Sequence, residues 1–262
     1  MIETSSDRSS RASAAQSRLL KSLCDIVFPQ SCVACDIELE SQVDLLICPS
    51  CQKSMVRKQP GCWFCSASLK EFESTQVGQR CVKCRDVELG FQRTVSLGDY
   101  SGPLRELAIL MKQKGQESTT LQVGRWLGQA ITNLLSETEV NNLDLVVPIP
   151  THWLRRFTRS ANIAALLADG IKRELDLPCY ERLLVQNRRT DKQGTLSRRQ
   201  RFQNVKNCFA LNRGYSVDGR NVLLVDDVTT SGATANEATK LLLQSGAHSV
   251  YLAVVARGMG SY

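Results

Sequence analysis

No stretch of this 262-residue chain reaches the ~18 consecutive apolar residues of a membrane-spanning helix, so no membrane insertion is expected. Its first twenty residues, MIETSSDRSSRASAAQSRLL, contain no apolar core of the kind a secretory signal carries. They are rich in Ser, Arg and Ala; a disordered tail over 1–21 and a cytoplasmic location are the expectations. The chain also lacks the two commonest nucleotide signatures, G-x-G-x-x-G and the lysine-bearing Walker loop G-x-x-x-x-G-K-S/T. No His, Cys or Glu stands in a pattern that marks it as a general base.

What is present begins with 42% hydrophobic residues, enough for a real core, and a net charge of +7, which favours anionic partners such as phosphates or nucleic acid. Eleven cysteines are unusual, and eight of them fall into four C-x-x-C pairs: Cys32/Cys35, Cys48/Cys51, Cys62/Cys65 and Cys81/Cys84. This spacing lets two thiolates in one tight turn face one ion, and two such turns complete a tetrahedral zinc site. Twelve residues separate Cys35 from Cys48, and fifteen separate Cys65 from Cys81. Four pairs imply two structural zinc ions. The simplest ligand sets are Cys32, Cys35, Cys48 and Cys51 for one, and Cys62, Cys65, Cys81 and Cys84 for the other; the spacing does not exclude interleaved pairing. Disulfides would need an oxidising compartment, and a redox C-x-x-C usually occurs once, beside a βαβ unit. Few large apolar residues lie in this segment, so metal would supply its folding energy, on the order of 10 kcal/mol per site. Cys24, Cys179 and Cys208 read as small buried apolar residues.

After residue 90 the composition shifts from cysteine pairs to α/β patterning. A cysteine module over 22–90 and an α/β domain over 91–262 are therefore expected. Buried strands are expected at Leu143–Pro150, Asn221–Val225 and Ser249–Ala256. Between the last two, Ala235, Ala238, Leu241 and Leu242 recur at helical spacing, with Gly246 as a C-terminal cap. Strand, helix, strand over this length is a βαβ unit and implies a mostly parallel sheet flanked by helices. Further helices are expected at Leu104–Lys114, Leu121–Leu135 and Ala161–Leu175.

The stretch VLLVDDVTTSGAT, Val222 to Thr234, carries the strongest functional signal. In a parallel sheet, ligands sit at the carboxyl ends of strands, where Asp226 and Asp227 are found. The turn through Thr229, Thr230, Ser231, Gly232, Ala233 and Thr234 leads into a helix N-terminus, where unpaired N–H groups and the helix dipole favour an anion. Gly232 lets backbone approach closely, and the hydroxyls add donors. Two carboxylates would repel that anion but suit ribose hydroxyls one step away. A 5-phosphorylated ribose has both features.

This stretch resembles the PRPP-binding motif of type I phosphoribosyltransferases. The four C-x-x-C pairs, YSGPLRELAILMKQKG, DLVVPIPTHWLRR and RRTDKQGTLSRRQRFQNVKNCFAL extend the resemblance to the ComF family, over roughly residues 30–258. It implies a double zinc ribbon before a type I phosphoribosyltransferase domain, and an association with natural competence and imported DNA. It further implies that Asp226 and Asp227 contact the ribose 2- and 3-hydroxyls and that Thr230 to Thr234 bind the 5-phosphate. Magnesium would arrive with PRPP. Pro148-Ile149-Pro150 matches the start of the family's pyrophosphate loop, whose R-G-F-N stands here as Arg159-Ser160-Ala161-Asn162. Lys112, Arg155, Arg156 and Arg159 are the candidates for the pyrophosphate, and His152 near that loop reads as structural. Residues 188–206, with seven Lys/Arg against one Asp, match the mobile flap that covers PRPP.

Two functions then compete. One is glycosyl transfer from PRPP with release of pyrophosphate, to an acceptor that cannot be read. The other is a non-catalytic PRPP sensor that binds single-stranded DNA and works with competence or DNA-processing proteins. For the second, Trp63, Phe64, Trp153 and Phe157 are candidate base-stacking residues. A purely structural zinc scaffold would leave the aspartate pair unexplained.

Overall fold

The structure, a computed structural model, describes residues 31–39, 47–55, 61–69, 78–150, 162–188, 190–191 and 196–258. Four wholly parallel strands form its centre: β1 (Thr94–Asp99), β2 (Leu145–Pro148), β5 (Asn221–Thr229) and β6 (Ser249–Arg257). They lie in the order β1-β6-β5-β2. Beyond β2, Cys179 adds one parallel rung at the edge, with Val146 N–H donating to the Pro178 carbonyl at 2.8 Å and Tyr180 N–H to the Val146 carbonyl at 2.9 Å.

The central strands are apolar on both sides because both faces are covered. Leu145, Val147, Val222, Leu224, Leu252 and Val254 face one layer, while Val146, Leu223, Val225, Ala253 and Val255 face the other. Each fully buried Leu among them contributes about 2 kcal/mol by leaving water. The second layer is built from α2 (Gly102–Leu110), α3 (Glu117–Leu134) and α5 (Ile163–Leu175). The first is built from α7 (Ala233–Gln244) together with a two-stranded antiparallel hairpin, β3 (Leu184–Gln186) and β4 (Phe209–Leu211). The short helices α1 (Pro49–Met55), α4 (Glu137–Asn141) and α6 (Arg198–Val205) complete the described elements.

Several boundaries differ from expectation. β2 covers only Leu145–Pro148, since Leu143 and Asp144 are still entering the sheet. α2 ends at Leu110, so Lys112 lies in the turn after it and not in the helix. α3 starts earlier, at Glu117. α5 begins at Ile163; the expected start at Ala161 lies outside the described residues. Gly246 closes α7 as expected: at φ +96° it lets its own N–H reach the Leu243 carbonyl and Ala247 N–H reach the Leu242 carbonyl.

The cysteine pairs pack against this sheet. Cys32, Cys48, Cys51 and Met55 join the core beneath α2, α3 and α5, whereas Cys62, Cys65, Cys81 and Cys84 join the core on the α7 side. Among the described residues, no helix is long and apolar enough to cross a membrane.

Candidate functional site

The expected strand end at Val225 is a correction. β5 continues to Thr229, with Asp226 opposite Val254 and Val228 opposite Ala256 in parallel register. The aspartates therefore stand within the last turn of the pleat, where neighbouring β6 holds their backbone. Alternation sends them to different sides. Leu223 and Val225 face the α2 layer, and Asp227, two residues on, meets Lys112 at the end of that layer. The Lys112 Nζ lies 3.0 Å from Asp227 Oδ2. Asp226 is partly exposed as a residue, but burial of its carboxyl and then the neighbouring Asp227 charge push its proton affinity well above the carboxylate range. Two short local bonds set the pair: Asp227 N–H donates to Asp226 Oδ1 at 2.9 Å, and Val228 N–H to Asp227 Oδ1 at 2.7 Å.

From Thr229 the chain turns into α7. Gly232 is the N-cap residue, at φ +78°, a conformation that side chains resist. A Cβ there would also stand 3.3 Å from Leu89 Cδ2. Ser231 Oγ accepts from Ala233 N–H at 3.3 Å. Thr229, Gly232 and Ala233 are buried, while Thr230, Ser231 and Thr234 are partly exposed. The structure thus brings Asp226, Asp227, Lys112 and the 229–234 turn to one end of the sheet, with a helix N-terminus behind the turn. A helix N-terminus in this position favours an anion.

Two arginines outside the Asp226–Thr234 stretch join this site: Arg201, from the flap segment that matches the family pattern, and Arg257, which sequence reasoning missed. Arg201 Nη1 donates to Thr230 Oγ1 at 3.0 Å, which docks α6 against the turn. Arg257, the last residue of β6, donates from Nη1 to the carbonyls of Thr229 (3.2 Å), Thr230 and Gly258 (2.8 Å). In the sequence, Arg257 shows only as a charge that ends an apolar run.

Much of the expected flap takes defined structure. α6 begins with a capping box in which Ser197 and Gln200 satisfy each other's backbone. Asn204 exchanges hydrogen bonds with the Asp191 backbone, and Arg188 donates to the carbonyls of Asn204 and Lys206. Arg155, Arg156 and Arg159 lie outside the described residues, as do His152, Trp153, Phe157, Ser160, Ala161 and Cys24. Trp63 and Phe64 are partly buried and already carry arginines: Arg93 lies 5.1 Å from the Trp63 ring centre, and Arg80 lies 4.0 Å from that of Phe64. Cys208 is buried as expected; Cys179 is only partly so, at the sheet edge.

The cysteines gather in the sequential sets, and the interleaved alternative is excluded. Within each set the sulfurs lie within 4.8 Å of one another. Cys35 and Cys48 Sγ are 3.6 Å apart, Cys62 and Cys84 3.8 Å, Cys65 and Cys81 3.7 Å. Four thiolates at ~2.3 Å from one tetrahedral ion stand about 3.8 Å apart, so both clusters have the size zinc needs. Both could hold it. The first keeps Cys35 exposed, whereas all four cysteines of the second are buried. Ser50 and the Cys51 N–H beside its sulfur bring Cys48 down to about 6, and hydrogen bonds from its cluster partners lower Cys62 as well.

With this geometry in view, the chain can be placed among known proteins. A family model described as a phosphoribosyl transferase domain matches residues 123–262. Competence protein F of Haemophilus influenzae is 30% identical over 212 residues, covering 80% of this chain and 90% of that protein. The DNA utilization protein YhgH of Escherichia coli is 30% identical over 177 residues, covering 68% and 77% respectively. Among solved structures, glutamine phosphoribosylpyrophosphate amidotransferase of B. subtilis is similar at 23% identity and a TM-score of 0.36, over 53% of this chain and 26% of that one. The chain belongs to the ComF family, with a type I phosphoribosyltransferase fold behind a zinc-ribbon module.

Proposed function

We propose that the protein binds PRPP at the end of β5 and transfers its phosphoribosyl group with release of pyrophosphate. The observation that supports this most is the run from Asp226 to Thr234: two carboxylates on the strand, followed at once by a hydroxyl-rich turn into a helix N-terminus. In this reading Asp226 and Asp227 accept hydrogen bonds from the ribose 2- and 3-hydroxyls. Thr229, Thr230, Ser231, Gly232, Ala233 and Thr234 hold the 5-phosphate. Lys112, now paired with Asp227, would hold the pyrophosphate in this reading, together with Arg155, Arg156 and Arg159, which follow β2 in the sequence.

The chemistry needs no covalent partner from the protein. As pyrophosphate leaves C1, positive charge grows on the ribose, and two fixed carboxylates beside it favour that charge. Magnesium, carried by the oxygens of PRPP itself, would neutralise charge on the leaving group. Ribose hydroxyls would donate to the ionised form of Asp226, so PRPP binding would oppose the upward shift that burial and the Asp227 charge impose there. The names of the relatives, competence protein F and DNA utilization protein, support a role in competence or the use of imported DNA. The two four-cysteine clusters of residues 22–90 would carry structural zinc.

Single-stranded DNA binding without catalysis is the second reading. Two of the three arginines of α6 turn inward: Arg198 donates to the Lys83 carbonyl at 2.9 Å and Arg201 to Thr230. This arrangement supports the flap as a part of the phosphate site more than as a nucleic-acid surface. The test is pyrophosphate release from PRPP with magnesium across a panel of amines and free bases. Release that Asp227→Asn abolishes is expected. Tight PRPP binding with no release across the panel would sink the transferase reading and leave the sensor.

A further inference from the structure

Arg257 is 5% exposed. A guanidinium taken out of water must find acceptors for its forked donors, and the ones it finds are unusual in where they lie. Its Nη1 grips the carbonyls of Thr229 and Thr230 at the entry to the phosphate turn. Its Nε donates at 3.0 Å to the carbonyl of Cys65, a member of the second cysteine cluster, 192 residues away in sequence. One buried side chain therefore spans a metal-sized cluster and the turn into α7.

Peptide geometry gives that grip a consequence. In a planar trans peptide, C=O and N–H point in opposite directions. The Thr229 carbonyl is held by Gly258 N–H at 2.7 Å as well as by Arg257, and the Thr230 carbonyl by Arg257; the N–H groups of Thr230 and Ser231 are thereby turned away from Arg257, to the side where an anion would lie. The second cluster backs the same turn elsewhere. Gly90 N–H donates to Asn236 Oδ1 in the first turn of α7 at 2.7 Å, and Leu89 and Phe91 pack on Gly232. Arg80 holds the connecting segment by donating to the carbonyls of Val87 and Leu89. The first cluster makes no such contact among the described residues; Met55 of α1 lies instead over Gly98 of β1.

We propose that Arg257 is a positioning residue for the 5-phosphate turn, and that through it the affinity of that turn depends on metal loading of Cys62, Cys65, Cys81 and Cys84 and not of the other cluster. The proposal rests on the reading of residues 229–234 as a phosphate site. It is tested on the full, zinc-loaded chain by calorimetric titration with ribose 5-phosphate, with PRPP and magnesium, and with pyrophosphate. Arg257→Lys keeps the charge and loses the fork. It should weaken ribose 5-phosphate and PRPP by the same factor, about tenfold, while pyrophosphate affinity and zinc content stay as in the parent. Unchanged ribose 5-phosphate affinity would overturn the proposal. A parent protein that binds neither ribose 5-phosphate nor PRPP would instead overturn the phosphate-site reading beneath it. If Arg257→Lys does not fold, amide exchange across 229–234 decides in the parent and in Cys35→Ser. Exchange should accelerate when a chelator empties the second cluster and stay unchanged when only the first is lost; exchange indifferent to the second cluster rejects the coupling.

Discussion

The two four-cysteine clusters share a ligand set and differ in what they touch. The first leaves Cys35 at the surface and packs its helix α1 over the β1 edge, beneath α2. The second is buried throughout, lies on the α7 side, and is hydrogen-bonded through Arg257 to the phosphate turn and through Lys83 to Arg198 of α6. The same four-cysteine set therefore has two mechanical settings: one cluster covers a sheet edge, and the other backs the turn proposed to hold the phosphate. What a metal knuckle does in a protein is decided by the backbone groups around its cysteines more than by the cysteines.

The largest effect expected from this contrast is on metal and substrate together. Cys62→Ser should remove one of two zinc ions and bring PRPP binding below detection, because a structural zinc contributes on the order of 10 kcal/mol to its knuckle. Cys35→Ser should also remove one zinc yet leave PRPP affinity within about threefold of the parent, as at other sites without shared partners. Metal analysis beside calorimetry checks both; equal losses of PRPP affinity would erase the distinction between the clusters. Next in size is Asp227→Asn, which removes a charged acceptor and should weaken PRPP about 10- to 100-fold with the fold intact by circular dichroism.

The pH dependence comes third. Asp226 holds its proton more tightly in the folded protein than an ordinary carboxyl does. Stability of the free protein should therefore fall as pH rises above the ordinary carboxylate range toward the raised Asp226 value, where the unfolded chain has lost the proton and the folded one has kept it. PRPP affinity should move the other way, rising by up to about tenfold per pH unit over the same window, because ribose binding needs the ionised form. Asp226→Asn should flatten both profiles; parallel profiles in parent and variant would remove Asp226 from the account. The smallest effect is Gly232→Ala, which forces a side chain into φ +78° against Leu89 and should cost about 1 kcal/mol, a fall of roughly 2–4 °C in Tm.

How far these features could be read in the sequence follows from how local their causes are. The C-x-x-C turns are legible because chelation is set within four residues, whereas which two turns share an ion depends on the fold and was left open by the spacing. Val222 to Val225 and Val250 to Val255 are legible because strands covered on both faces must be apolar throughout. The extension of β5 over Asp226 to Thr229 was hidden, since polar residues read as the end of a strand when a neighbouring strand is not in view. The place of Lys112 was blurred for a similar reason: helical spacing runs past Leu110, and only Gly115, at φ +81°, marks the turn. Arg257 was the least legible. A charge closing an apolar strand reads as an exit to solvent, and its burial depends on the Cys65 carbonyl, far away in the chain.

The central claim, that the turn after β5 holds a phosphorylated ribose, is tested most directly by calorimetric titration of the two-zinc protein with PRPP, with and without magnesium. Magnesium-dependent binding that Asp227→Asn weakens is the predicted result. A fully zinc-loaded, folded protein that takes up no PRPP under either condition would contradict it.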